Sequence, residues 1–170
     1  MGFKKNLLAF IVIGALGSLF HFVYDWTGEN KIIGFFVPVN ESIWEHLKLI
    51  FYPALIYFAG EFFLTKEREK NLIPQMAVSI FSGMFTTVLL YYLYTGILGF
   101  NVDFLNITIF FISVIVLIIK RNKVYNQDKY NNKNAKAIFS VLLIFTAFLF
   151  GVWSITPPSL GIFTTANIAK

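Results

Sequence analysis

The chain has 170 residues, 57% of them hydrophobic and 14% charged, with no cysteine and a formal net charge of +5. Soluble domains carry about 25% charged residues, so this balance excludes an ordinary water-soluble domain and places the chain in the membrane class. The missing cysteines exclude disulfides, thiolate catalysis and Cys-ligated metals. The basic residues lack the aromatic interleaving that reads nucleic acid, so no nucleic-acid partner is expected.

The first apolar run, about residues 7–24, follows Lys4 and Lys5 and is interrupted only by His21 and small residues. A basic start before an apolar run imitates a signal peptide, and Ala15-Leu16-Gly17 imitates a cleavage site. The run continues past that point and further spans follow, so an uncleaved first transmembrane helix is expected. Asp25 to Lys31 is a polar turn with Gly28 as its breaker. Ile32 to Val37 is apolar but too short to cross a membrane, and Pro38 ends it. It reads as a re-entrant or interfacial segment, whose backbone must be satisfied by protein or water.

A second span, about residues 43–64, starts near Asn40–Ser42 with a polar turn and carries Pro53, which predicts a kink. Glu61 near its far end is expected to reach the interface and pair with Lys66 in the charged loop 65–70. In the third span, about 73–100, Ser79, Ser82, Gly83, Thr86 and Thr87 form a small-residue stripe suited to close helix contact. Tyr91, Tyr92 and Tyr94 fit an aromatic belt. The fourth span, 104–119, is about 24 Å long at 1.5 Å per residue, and Asp103 is expected to cap it. A hydrophilic loop, 120–136, precedes the fifth span, 137–155, which Thr156-Pro157-Pro158 ends. No internal repeat appears, so an inverted-repeat transporter within one chain is not supported. The expected fold is all-α: one integral membrane domain, residues 1–170, built as a polytopic bundle of five transmembrane helices with the short broken segment before the second.

Of the 14 Lys and Arg residues, eleven fall at the N-terminus, in loop 65–70 and in loop 120–136, all on one side of a five-span chain. Lys31, Lys48 and Lys170 fall on the other. By the positive-inside rule the N-terminus is expected in the cytoplasm and the C-terminus outside.

The chemistry-bearing residues concentrate at that outer side, in Asn40-Glu41-Ser42-Ile43-Trp44-Glu45-His46-Leu47-Lys48 and in His21 with Asp25. His21 and Asp25 share a helix face at i,i+4, as do Ser42 and His46, while Glu41, Glu45 and Lys48 fall on a neighbouring face. Ionisable groups at membrane depth usually face a cavity or each other. Part of the stretch has a plainer reading. Ser42 and Glu45 form a capping box, Asn40 is a good N-cap, Glu45 and Lys48 can make a surface ion pair, and Trp26 and Trp44 suit the interface.

The candidate catalytic set is His46, Glu45, Glu41, His21 and Asp25, with Asn40, Ser42 and Lys48 as substrate contacts. His21, His46, Asp25 and Glu45 are ligand types suited to a divalent metal, although no metal-binding motif is present and the cofactor is left open. Three functions fit: an enzyme, hydrolase or transferase, acting on lipid headgroups; a transporter, or a subunit of one, for a cation, proton or small solute; or a structural or regulatory membrane protein. The partners expected are membrane lipids, and a homo-oligomer or a partner membrane subunit.

The fragment Phe36-Val37-Pro38-Val39-Asn40-Glu41-Ser42 is similar to a short re-entrant segment of undecaprenyl-diphosphate phosphatases, though this chain lacks their length and repeat. A longer resemblance runs through Gly17-Ser18-Leu19-Phe20-His21, the block from Pro38 to Leu49, Pro53, and more loosely Pro157-Pro158 and Phe163. These residues resemble a family of small multi-pass membrane proteins from Gram-positive bacteria, a domain of unknown function with a PVNESxWEHxK core. That resemblance implies a bacterial cytoplasmic-membrane location and brings no activity or site residues with it.

Overall fold

A computed structural model describes residues 2–64, 71–125, 127 and 130–165. Loop 65–70, with the expected Glu61 partner Lys66, and the C-terminal Lys170 lie outside the described residues. Helix α1 spans Phe3–Trp26, a 3-10 turn Ile33–Phe35, α2 Ile43–His46, α3 Lys48–Leu64, α4 Leu72–Leu98, α5 Asp103–Tyr125 and α6 Lys133–Ile155. A last 3-10 turn covers Gly161–Phe163. Among the described residues there is no strand, only an isolated antiparallel bridge between Ser42 and Thr165. Five helices are long and apolar enough to cross a membrane, with α2 and α3 acting together as the second. The all-α bundle expected from the apolar runs is therefore the fold.

Helix α3 sits at the centre, against α1, α4 and α5, and α4 packs along α5. The outer faces of α1 and α6 stay apolar and exposed, as at Leu8, Ile11, Ile138, Val141, Ile144 and Phe148. A water-soluble protein does not carry so large an apolar surface; lipid tails cover it without cost. The small-residue stripe on α4 makes the close contact expected of it. A Cβ on Gly83 would lie 3.2 Å from the Ser113 carbonyl, and Thr87 Oγ1 donates to Ser113 Oγ at 2.9 Å.

Three local expectations are revised. The second span is interrupted at Leu47, and α3 then continues through Pro53. Because Pro53 has no N–H, the Leu49 carbonyl loses its partner within the helix. Gly17 of α1 packs against that oxygen: a Cβ there would lie 2.6 Å from Leu49 O and 2.5 Å from the Phe110 ring. Helix α5 runs about two turns beyond its apolar core, which carries Arg121 into the bundle, fully buried and paired with Glu61. Glu61 thus turns inward rather than to the interface. Trp44 is also internal, with its ring centroid 4.8 Å from Phe150, 4.9 Å from Trp153 and 5.1 Å from Phe163. It ties α2 to α6 and the last 3-10 turn, while Trp26 remains exposed.

Candidate functional site

The link between α1 and α2 is folded by local capping. Gly28 and Glu29 take left-handed φ values of 65° and 58° and reverse the chain after α1. The Asn30 side chain then accepts the Ile32 N–H at 2.9 Å and starts the 3-10 turn. Gly34 lies against Tyr24 of α1, where a Cβ would meet Val39 at 2.7 Å. Asn40 Oδ1 accepts the Ser42 N–H at 2.9 Å, and Ser42, the N-cap of α2, accepts the Glu45 N–H at 3.4 Å.

The capping box is therefore only half formed. Asn40 occupies the Ser42 N–H, and the Glu45 carboxylate goes elsewhere. Its Oε2 accepts the Val39 N–H at 3.0 Å and pairs with Lys48 Nζ at 2.7 Å. Lys48 Nζ also reaches the carbonyls of Gly34 at 2.7 Å and Val37 at 3.1 Å, and Ser154 Oγ of α6 at 2.6 Å. Ser154 lies in turn 2.8 Å from Glu45 Oε1. Lys48 is 0% and Glu45 1% exposed. The ion pair expected on the surface is internal, and it clamps the 3-10 turn onto α3 and α6. Neither residue faces the cavity described next, so the catalytic and ligand roles considered for Glu45 and the substrate contact considered for Lys48 find no geometry here.

Glu41 precedes α2 and turns the opposite way. Its Oε2 lies 3.6 Å from His21 Nε2 and 3.3 Å from His46 Nε2. The two rings are 5.3 Å apart. His46 Nδ1 donates to the Ser42 carbonyl at 2.8 Å, since a carbonyl oxygen can only accept. The imidazoles of His21 and then His46 beside it hold the Glu41 carboxyl well below the usual carboxylate range. His21 and His46 are partly buried, and Glu41 is open, with 63% of its side chain exposed. Asp25 is exposed one turn beyond His21 and outside this group. Asn40 and Ser42 are spent on capping.

His21, Glu41 and His46 lie at one side of a cavity of about 490 Å³, within the usual size range for small-molecule sites. Gly17, Leu49, Ile50, Ile109 and Phe110 give it apolar walls. Asn101, Asp103, Asn106 and Tyr91 add polar lining from α4, α5 and the turn between them. Asp103 is the first residue of α5 rather than a residue before it. Tyr94 hydrogen-bonds Asn101 and Asn106, and Asn106 Nδ2 donates to Asn101 Oδ1 at 2.8 Å, which fixes that wall. Thus Tyr94 serves the site rather than only an interface belt. Sequence reasoning left Asn101 and Asn106 unassigned and gave Tyr91 only to an aromatic belt. The available signal was Asn101, Asp103 and Asn106 clustering at the mouth of an otherwise apolar span.

These features define a multi-pass membrane helix bundle with an apolar-walled cavity and an ionisable cluster at its edge. Over residues 3–170 the chain matches the model of a family described as a family of unknown function, DUF6512, and it belongs to that family. No curated protein and no solved structure matches it.

Proposed function

We propose that this protein is a membrane-embedded hydrolase or transferase acting on the headgroup of a lipid-like amphiphile. The carrying observation is the cavity itself: apolar walls that suit a chain, with His21, Glu41 and His46 at the edge where a headgroup would sit. In a hydrolytic turnover a water oxygen bonds to the headgroup phosphorus or carbonyl carbon. The ester bond to the leaving alcohol breaks, and a water proton ends on the leaving oxygen. The histidines and Glu41 supply acid–base or ligand chemistry to that step, and Asn101, Asp103 and Asn106 orient the polar part of the substrate.

The proposed setting is the bacterial cytoplasmic membrane, with the N-terminus in the cytoplasm and this cluster at the outer face. Lys48 and Arg121 are buried and leave the charge count, but the bias of the remaining Lys and Arg residues keeps its direction. A C-terminal tag is then reached by an impermeant reagent from outside; labelling only after permeabilisation overturns the orientation. The activity is tested by lipid turnover in proteoliposomes across a panel of phospholipids and prenyl phosphates. Wild-type turnover that Glu41→Gln and His46→Ala abolish supports the reading. No turnover across the panel, or turnover unchanged in both variants, removes it.

A further inference from the structure

We infer that His21, Glu41 and His46 form a binding site for one divalent first-row metal ion of the zinc class, with its remaining coordination facing the cavity. The inference deepens the reading of this cluster as a reaction site and rests on that reading for its purpose, though its ligand geometry stands apart from it.

The first argument is convergence. The Ser42 carbonyl takes the Nδ1 proton of His46, which leaves Nε2 as the nitrogen that can bind an ion. That nitrogen lies 3.3 Å from Glu41 Oε2. One ligand atom each from His21, Glu41 and His46 lies within 4.8 Å of the others, so one divalent ion can serve all three.

The second argument is distance. Tetrahedral zinc binds imidazole and carboxylate at about 2.0–2.1 Å, which sets the ligand atoms about 3.3–3.4 Å apart. The two edges from Glu41 are 3.3 and 3.6 Å. All three ligand atoms lie within 4.8 Å of one another, so a modest ring rotation closes the third edge.

The third argument is the support around the ligands. A metal-binding histidine usually donates its other ring N–H to a carbonyl or carboxylate, which fixes tautomer and orientation. His46 makes that bond to Ser42. Two imidazoles and one carboxylate favour zinc, cobalt or iron over magnesium or calcium, which take oxygen ligands. Three protein ligands leave a fourth position for water or substrate, the arrangement of catalytic rather than structural zinc.

The test uses the full-length chain, tag-free, in nanodiscs and stripped by a chelator. Co²⁺ is titrated as a visible probe and bound metal is counted by mass spectrometry. One equivalent per chain is expected, with the intense absorption of four- or five-coordinate cobalt and displacement by Zn²⁺. His21→Ala, His46→Ala and the nearly isosteric Glu41→Gln each lower affinity by more than about tenfold, while Asp25→Asn leaves it within about threefold because Asp25 lies outside the ligand set. Each variant is checked by thermal unfolding; if an alanine variant misfolds, Glu41→Gln decides. No stoichiometric uptake by the wild type, or uptake unchanged in Glu41→Gln, overturns the site. Metal binding without lipid turnover sustains the site and removes the reaction reading. Turnover by the stripped protein together with no stoichiometric uptake does the reverse.

Discussion

Glu41 and Glu45 stand one helical turn apart in sequence and occupy opposite environments. Glu45 is sealed, with its charge met by Lys48 and its oxygens met by the Val39 N–H and Ser154. Glu41 is open to the cavity and faces two imidazoles that converge on one oxygen. The sealed carboxylate has nothing left to offer a ligand. The open one is held by partners that a ligand can use. A buried polar network that satisfies all its members fixes a structure, whereas polar groups left to face one another across a cavity are the more promising sign of chemistry.

The comparison is broken most directly at Lys48. Lys48→Met leaves Glu45 buried without its cation and should cost about 3–5 kcal/mol, read as a large fall in thermal unfolding temperature. Glu45→Gln combined with Lys48→Met should recover much of that loss; a single Lys48→Met variant as stable as wild type would mean that the clamp holds nothing. Gly17→Ala strikes the floor of the open site, where a Cβ meets Leu49 O and Phe110. It should cost about 1–3 kcal/mol through overpacking and narrow the cavity, visible as weaker uptake of a fluorescent lipid analogue. Ser154→Ala removes one shared hydroxyl from the clamp and should cost about 1–2 kcal/mol in the same unfolding assay.

Glu41→Gln should be the mildest for stability, within about 0.5–1 kcal/mol for an open side chain, while it removes metal and turnover. Its acid limb has a defined sign. The folded carboxyl is depressed below the ordinary value of 4.5, so its contribution is present above that value and lost as pH falls through the folded one. The stability difference between wild type and Glu41→Gln should therefore survive below pH 4.5 and vanish only in stronger acid. Its disappearance above that value would contradict the His21–Glu41–His46 contacts.

Much of the bundle was legible because apolar runs of span length have few other uses. The meeting of His21 with His46 was also readable, from two polar groups at neighbouring helix mouths. The exchange of roles between Glu41 and Glu45 was not. The i,i+4 argument treated residues 41–48 as one helix, yet α2 begins at Ile43, so the direction of Glu41 is set by the Asn40 and Ser42 turn. Arg121 was counted as a loop charge and Lys48 as a surface partner of Glu45 for a related reason. Ser154, which buries the Lys48–Glu45 pair, and Glu61, which meets Arg121, come from distant helices, and no local pattern announces a contact of that kind.

That separation also has a clock. Ser154 follows Lys48 by 106 residues, and at about 5–20 residues per second the ribosome needs on the order of 5–20 s to make that stretch. During this interval His21, Glu41 and His46 are already synthesised, while the clamp waits for the last span. A chain halted before α6 would hold the site's residues without the hydroxyl that joins Lys48 and Glu45 to the bundle. Nascent chains of that length should be the ones that membrane proteases select, and the completed protein the one they spare.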